Sequence, residues 1–426
     1  MSNDTVFETS ASSIRFGTGV TREVGMDLAD LGVHRAMVVT DPGLARLPQV
    51  ATVLESLAAN GVEAVLYDAV AIEPTDRSFR QAIEAGMREP HDALVATGGG
   101  SAIDTAKAIN LYVTCPPDDF YDYVNPPVGR GLPVPRALKP LVAIPTTAGT
   151  GSETTGVCVF DDTRLHAKTG ISSKRLKPWL GLLDPDNTRT LPKTVAVSSG
   201  LDVLCHAVES YTALAFTERP RPDRPRNRPA YQGANPVSDV WALEALRIMS
   251  RTFVRAVQEP ADDDARAQMI LAACYAGLGF GTAGVHLPHA MSYPVAGNVR
   301  TYQPDGYPPG RALVPHGLSV ILNAPAAFRY TAAASPARHL EAAGALGARV
   351  DGRNPADAGA ILADRIVWFM QHLEVPNGLR AVGYTSSDIP ALVEGTLLQQ
   401  RLTKLSPRAA SAEDLSRLFE QSMVVW

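Results

Sequence analysis

"ALVATGGGSAIDTAKAIN", Ala93 to Asn110, is the stretch that decides the fold. An apolar run ends at Thr97, three glycines follow, and a helical pattern opens at Ser101. A strand that is apolar along its whole length is buried on both faces, as in parallel sheets covered by helices. Glycines let the backbone approach a phosphate closely, and a helix start offers unpaired N–H groups and the positive end of the dipole. A plain strand-to-helix turn needs fewer than three glycines. Gly98, Gly99 and Gly100 therefore read as a phosphate-binding turn.

Further apolar runs lie on both sides: "HRAMVVTD" (34–41), "VEAVLYDAV" (62–70) and "KPLVAIPTTAGTGSE" (139–153). Helical stretches such as "LPQVATVLESLAANG" (47–61) fall between them. Strands alternating with helices imply a parallel sheet with helices on both faces. "LLDPDNTRTLPKT" (182–194) closes this half. Beyond it the strand signal fades, and residues 238–257, 265–281, 358–373 and 412–423 repeat apolar positions at helical spacing. A chain of 426 residues exceeds the roughly 250–300 that one core supports. Two domains are expected: an α/β nucleotide-binding domain over 1–190 and a helical metal-binding and substrate domain over 191–426.

A net charge of -5 argues against nucleic acid or an anionic membrane as partner. No apolar run approaches the roughly 20 residues that span a bilayer. Cys115, Cys158, Cys205 and Cys274 are scattered, without disulfide-framework spacing, which suits a reducing cytosol. "MSNDTVFETSASSIRFG" carries acids and no apolar core, so a cytoplasmic location is expected.

The glycine run is not the G-x-G-x-x-G fingerprint, whose ribose-binding acid follows the glycines. Here the candidate acid, Asp41, precedes them at the end of an apolar run. It could accept from ribose hydroxyls and repel a 2′-phosphate, favouring NAD, or it could cap the turn before Pro42. "PTTAGTGSETT" (145–155) reads as a second wall of the same cleft. Lys168 either reaches a phosphate or nicotinamide ribose, or is solvated.

"GLDVLCHAVES" (200–210) sets Asp202 and His206 four residues apart, on one helical face. Glu209 reads as part of a solvated face. "GVHLPHAMSYP" carries His286 and His289, and "LVPHGLSVI" carries His316. These segments are apolar, and an unpaired charge in them is costly. One carboxylate with three imidazoles makes a complete site for Fe²⁺ or Zn²⁺.

Seven segments carry a resemblance: "GGGSAIDTAKAINLY", "LKPLVAIPTTAGTGSETTGV", "SGLDVLCHAVESYTA", "RPAYQGANPVSD", "HAMSYPVAG", "LVPHGLSVIL" and the late "TKLSP". Together they span most of the chain, which resembles the iron-containing (group III) alcohol dehydrogenases, nearest to their hydroxyacid–oxoacid transhydrogenase branch. The resemblance implies the dehydroquinate synthase-like fold, with an N-terminal Rossmann-like domain and a C-terminal helical domain. It puts the metal on Asp202, His206, His289 and His316, and leaves His286 outside the first shell. It puts NAD on Asp41, Gly99, Gly100, Ser101, Thr146 and Thr147, with Lys168 beside them. Tyr293 stands where many members carry a proton-relay histidine, as it does in that branch.

The implied chemistry is hydride transfer with the metal, Fe²⁺ before Zn²⁺, as Lewis acid. NAD stays bound between a hydroxyacid such as 4-hydroxybutyrate and an oxoacid such as 2-oxoglutarate. Arg228 and Arg130 are the candidates for gripping a substrate carboxylate, against a solvated reading of each. The alternative is an NAD-dependent dehydrogenase of alcohols and aldehydes that releases its cofactor each turnover. A lyase of the dehydroquinate synthase type would need basic residues that the metal segments lack. The expected partners are small molecules and a second copy of the chain, as a homodimer.

Overall fold

The structure is a computed structural model that describes residues 2–165, 167–310 and 312–426. The chain forms two compact units: Ala11–Leu191, and Met1–Ser10 together with Pro192–Trp426.

The first unit contains eight strands: β1 (Ser13–Phe16), β2 (Arg35–Val39), β3 (Glu63–Tyr67), β4 (Ala93–Gly98), β5 (Leu141–Pro145), β6 (Val157–Asp162), β7 (Ala167–Ser172) and β8 (Leu180–Leu183). Six of them make one parallel sheet in the order β1-β8-β5-β4-β2-β3. β6 and β7 pair separately as an antiparallel hairpin. Every residue of β4 and β5 is buried, as their unbroken apolar character requires. β3 lies at an edge and is mostly exposed.

The apolar runs locate β2 to β5. They do not locate β1, which has no fully buried residue, or β8, which has only four residues. The β6–β7 hairpin is likewise absent from the sequence reading.

Strand order positions the ligand end of this sheet. From β2 the chain builds β3 on one side, then crosses back to lay β4 on the other. Helices that follow β2 and β4 therefore diverge, and a crevice opens beyond the carboxyl ends of these two strands. Asp41 follows β2, and the glycine run follows β4.

The second unit is helical. Lys193–Thr212, Pro236–Gln258 and Asp263–Ala283 are its long helices and pack on one another. Leu287–Gly297 and the short His316–Ile321 pack against each other and against the first. Residues near the N-terminus belong here because Asp4 is buried and paired with Arg219 and Arg228. No single helix among the described residues is long and apolar enough to cross a membrane.

Candidate active site

Asp202 and His206 sit mid-way along the helix Lys193–Thr212, on its buried face. His289 lies in the first turn of Leu287–Gly297, and His316 opens the next short helix. Four side chains thus come from three elements. Their ring nitrogens converge on one oxygen: Nε2 of His289, His206 and His316 stand 3.4, 3.7 and 3.8 Å from Oδ1 of Asp202. One ligand atom each from Asp202, His206 and His289 fits within 4.8 Å of the others. His316 is the outermost, with a quarter of its side chain exposed.

Close approach of His316 depends on Gly317. A Cβ there would lie 1.9 Å from the Ser198 carbonyl oxygen and 2.9 Å from Cβ of Asp202. Any side chain would push the His316 helix off the Asp202 helix.

These residues fit a divalent metal. Oδ1 of Asp202 and Nε2 of His289 are buried and have no hydrogen-bond partner among the described residues. Such atoms are costly to bury without a partner. Ligands about 2.1 Å from a tetrahedral ion stand about 3.4 Å from one another. The observed spacings of 3.4 to 3.8 Å are of that size, short enough for a shared cation.

The helix supplies a further residue that the sequence pattern assigned to solvent. Glu209 is fully buried. Its Oε1 accepts from Nδ1 of His289 at 2.5 Å, and its Oε2 accepts from the His286 backbone N–H at 2.6 Å. A carboxylate on Nδ1 fixes the tautomer and directs Nε2 at a metal. The signal was available, since Glu209 is seven residues after Asp202 and so on nearly the same face. Phe280 is the other unread contributor: its ring stacks on that of His206 at 3.9 Å.

Charge at the centre is strongly coupled. Burial raises the Asp202 carboxyl, but the three imidazoles outweigh it and hold the group below the usual carboxylate range. Burial pushes His206 down to about 3. Burial also acts downward on His289, yet Glu209 and Asp202 win and push it up to about 9. The proton on His289 is the one a divalent cation would displace.

His286 faces elsewhere. Its Nε2 is 3.0 Å from the Thr212 hydroxyl, and burial pushes it down to about 4. Tyr293, one turn beyond His289, is buried with its ring 6.3 Å from that of His316.

In the sheet unit Gly99 caps the helix Gly100–Thr114. A Cβ on Gly99 would meet Thr147 at 3.2 Å, and one on Gly100 would meet Thr150 at 2.5 Å. The threonine loop therefore crosses directly over the helix start, and Thr146 donates its N–H to the Gly98 carbonyl. Asp41 does two things. Oδ1 caps the turn by accepting from Gly43 and Leu44, while Oδ2 lies 3.9 Å from where a Cβ on Gly98 would be. The Ser101 hydroxyl accepts from the Glu73 N–H. Free N–H groups at this helix start, beside an acid and a row of hydroxyls, suit a pyrophosphate and its ribose.

Three expected cations are already engaged. Lys168 is buried, 2.5 Å from Glu73 and 3.1 Å from Asp161, and these carboxylates overcome its desolvation and raise it. Arg228 spends its fork on both oxygens of Asp4. Arg130, largely exposed, bonds Asp122 at 2.8 Å.

The chain has known relatives. Residues 11–185 match the family described as iron-containing alcohol dehydrogenase, and residues 230–423 match its C-terminal family. Curated relatives named "Hydroxyacid-oxoacid transhydrogenase, mitochondrial" include one from Xenopus laevis, 56% identical over 99% of this chain and 92% of its own length. Another, from Homo sapiens, is 52% identical over 99% of this chain and 91% of its own. A solved 1,3-propanediol oxidoreductase covers 98% of this chain and 100% of its own, with 28% identity and a TM-score of 0.85. An iron-containing alcohol dehydrogenase from Thermococcus thioreducens covers 98% and 99%, with 26% identity and a TM-score of 0.82.

The relatives' names overturn the cytoplasmic location expected from composition, since they are mitochondrial. Unpaired cysteines report a reducing environment and do not say which compartment provides it. With both halves matched and relatives above half identity along the full length, the chain belongs to the iron-containing alcohol dehydrogenase family, and it is an oxidoreductase.

Proposed function

We propose that the protein moves a hydride from a hydroxyacid to an oxoacid through NAD that stays bound, using one divalent iron. The observation that carries this reading is the convergence of three imidazole nitrogens on the buried, unpartnered Oδ1 of Asp202. The relatives named for hydroxyacid–oxoacid transhydrogenation supply the substrate class.

Asp202, His206, His289 and His316 would hold the metal. When bound, the metal supplies a Lewis acid for the substrate oxygen and NAD supplies the hydride carrier. Glu209 keeps the Nδ1 proton of His289 and so keeps Nε2 available. Phe280 fixes the plane of the His206 ring and helps exclude water from it. Gly99, Gly100 and Ser101, with Thr146 and Thr147, would take the pyrophosphate at the helix start, and Asp41 would accept from the adenosine ribose. Lys168, neutralised by Glu73 and Asp161, braces the 157–172 hairpin beside that turn.

An isotope experiment tests the reading. The iron-loaded protein, freed of unbound NAD, is given 4-hydroxybutyrate deuterated at C4 together with 2-oxoglutarate. Deuterium is expected at C2 of the hydroxyacid formed from 2-oxoglutarate, with one aldehyde produced per oxoacid reduced. Turnover that requires added NAD and accumulates NADH would instead establish the cofactor-releasing dehydrogenase. Chelation of iron should stop the transfer while leaving the bound NAD measurable.

A further inference from the structure

We propose that Arg401 is the residue that grips the carboxylate of the acid substrate, with Tyr231 and Tyr293 holding it in place beside the metal ligands. The inference rests on the acid-substrate reading above and names the group that makes it specific.

Arg401 lies on the short helix Gln400–Thr403, which packs against the His289 helix Leu287–Gly297. Against the opposing effect of burial, Tyr231 and Tyr293 are the neighbouring side chains that act on its guanidinium and raise it. It also sits 4.9 Å from the centre of the Tyr231 ring. Both tyrosines are buried. Each is one side chain away from the metal centre. Tyr231 packs edge-on to Phe280, 6.5 Å between centroids, and Phe280 stacks on His206. Tyr293 has its ring 6.3 Å from that of His316. Two independent paths therefore lead from Arg401 to two different ligands.

The arrangement is built with little slack. Gly284, at φ +89°, precedes the His286–His289 segment. A Cβ there would strike Leu405 at 2.5 Å and Tyr231 at 2.8 Å. The backbone also joins the two regions, because Leu214 donates its N–H to the Leu405 carbonyl. The Arg401 segment, Tyr231 and the approach to His289 are thus one packed cluster.

The chemistry favours a carboxylate. A guanidinium is permanently charged, planar and forked, and it pairs with a carboxylate through two parallel hydrogen bonds. Aromatic contact steadies such a cation without neutralising it. The fold ties Arg401 to the residues around His206 and His316, through Tyr231 with Phe280 and through Tyr293. A small acid held there by its carboxylate would present a hydroxyl carbon to the metal side.

The test compares substrates that share a carbon count: 4-hydroxybutyrate and 1-butanol. Arg401→Met and Arg401→Lys are made in the full chain, and iron and NAD content are measured first. For Arg401→Met, KM for 4-hydroxybutyrate should rise about 100-fold with kcat little changed, as for loss of a desolvated charge pair. 1-Butanol oxidation should stay within about threefold of wild type, and Arg401→Lys should recover part of the loss. Butyrate, which cannot react, should inhibit wild-type 1-butanol oxidation and lose that inhibition in Arg401→Met. Equal losses on both substrates, or undiminished inhibition by butyrate, would overturn the assignment. Failure of the acid-substrate reading shows separately, as wild type preferring 1-butanol. The butyrate arm still decides Arg401 in that case.

Discussion

Two buried clusters of charge, one in each unit, treat their polar atoms differently. In the sheet unit Lys107 is fully buried, and its ammonium donates to the Ser152 carbonyl and hydroxyl at 2.7 and 2.6 Å and to the Val157 carbonyl at 2.8 Å. Asp104 completes that cluster by accepting from the Ser152 hydroxyl and the Val159 N–H. In the helical unit Asp202 and His289 are as deeply buried, yet Oδ1 of one and Nε2 of the other have no partner among the described residues. The first cluster is a finished pin between the Gly100–Thr114 helix and the threonine loop. The second is finished only by an added cation. Residue types do not separate the two, since each combines an acid with basic groups. Satisfaction of the buried atoms does.

The widest gap between the clusters should appear when one member of each is removed. His289→Ala should empty the metal site and cost roughly 4 kcal/mol or more in kcat/KM, because Lewis-acid stabilisation disappears. Metal analysis and single-substrate kinetics on the folded fraction would check it, since leaving buried Glu209 without His289 also costs stability. Lys107→Met should cost stability alone. It strands several buried acceptors and should cost about 3 kcal/mol of stability, read by urea denaturation, while metal content per folded molecule stays at the wild-type level. If Lys107→Met instead lowers metal content at full stability, the division between pin and centre fails.

Glu209→Gln sharpens the comparison from inside the metal centre. It keeps the shape of the contact to His289 and removes its charge. Metal affinity should fall 10- to 100-fold, as for other outer partners of ligating histidines, measured by competition with a chelator. An unchanged affinity would mean that Glu209 only braces the fold, as Asp104 does.

The smallest expected effect concerns a satisfied buried histidine away from both clusters. His339 is held by Thr331 and Ser335, faces Arg338, and is pushed down to about 4, chiefly by burial. Its folded value lies below its unfolded one, so it makes no difference above about pH 6.5 and destabilises as pH falls toward 4. Between pH 7 and 5.5 it should remove roughly 1 kcal/mol of stability, and a His339→Gln variant should lose that share of the pH dependence.

How far the sequence alone reached follows the same physics. Glycine runs and long apolar strands are local patterns, so β2 to β5 and the turn after β4 could be read directly. β1 and β8 are short and depend on neighbours distant in the chain. Histidines in apolar segments stood out because such residues need a reason to be there. Glu209 did not, since one acid on a helix is ordinarily solvated, and only the return of the His286–His289 segment buries it. Arg228 drew notice from its place in a marked segment. Its partner Asp4 lies 224 residues away, beyond the reach of any spacing rule.

That last separation bears on how the molecule is made. Asp4 is synthesised before the sheet unit, and its arginine partners follow only after that unit has been completed. Domains tend to fold in the order of synthesis. Here the sheet unit can close as soon as residue 191 is available, whereas the helical unit must wait for its later helices and then recapture the segment that precedes the sheet. Vectorial synthesis therefore makes the helical unit the later of the two to mature, so a cation has no assembled cluster to enter until His316 has been made and packed on the Asp202 helix.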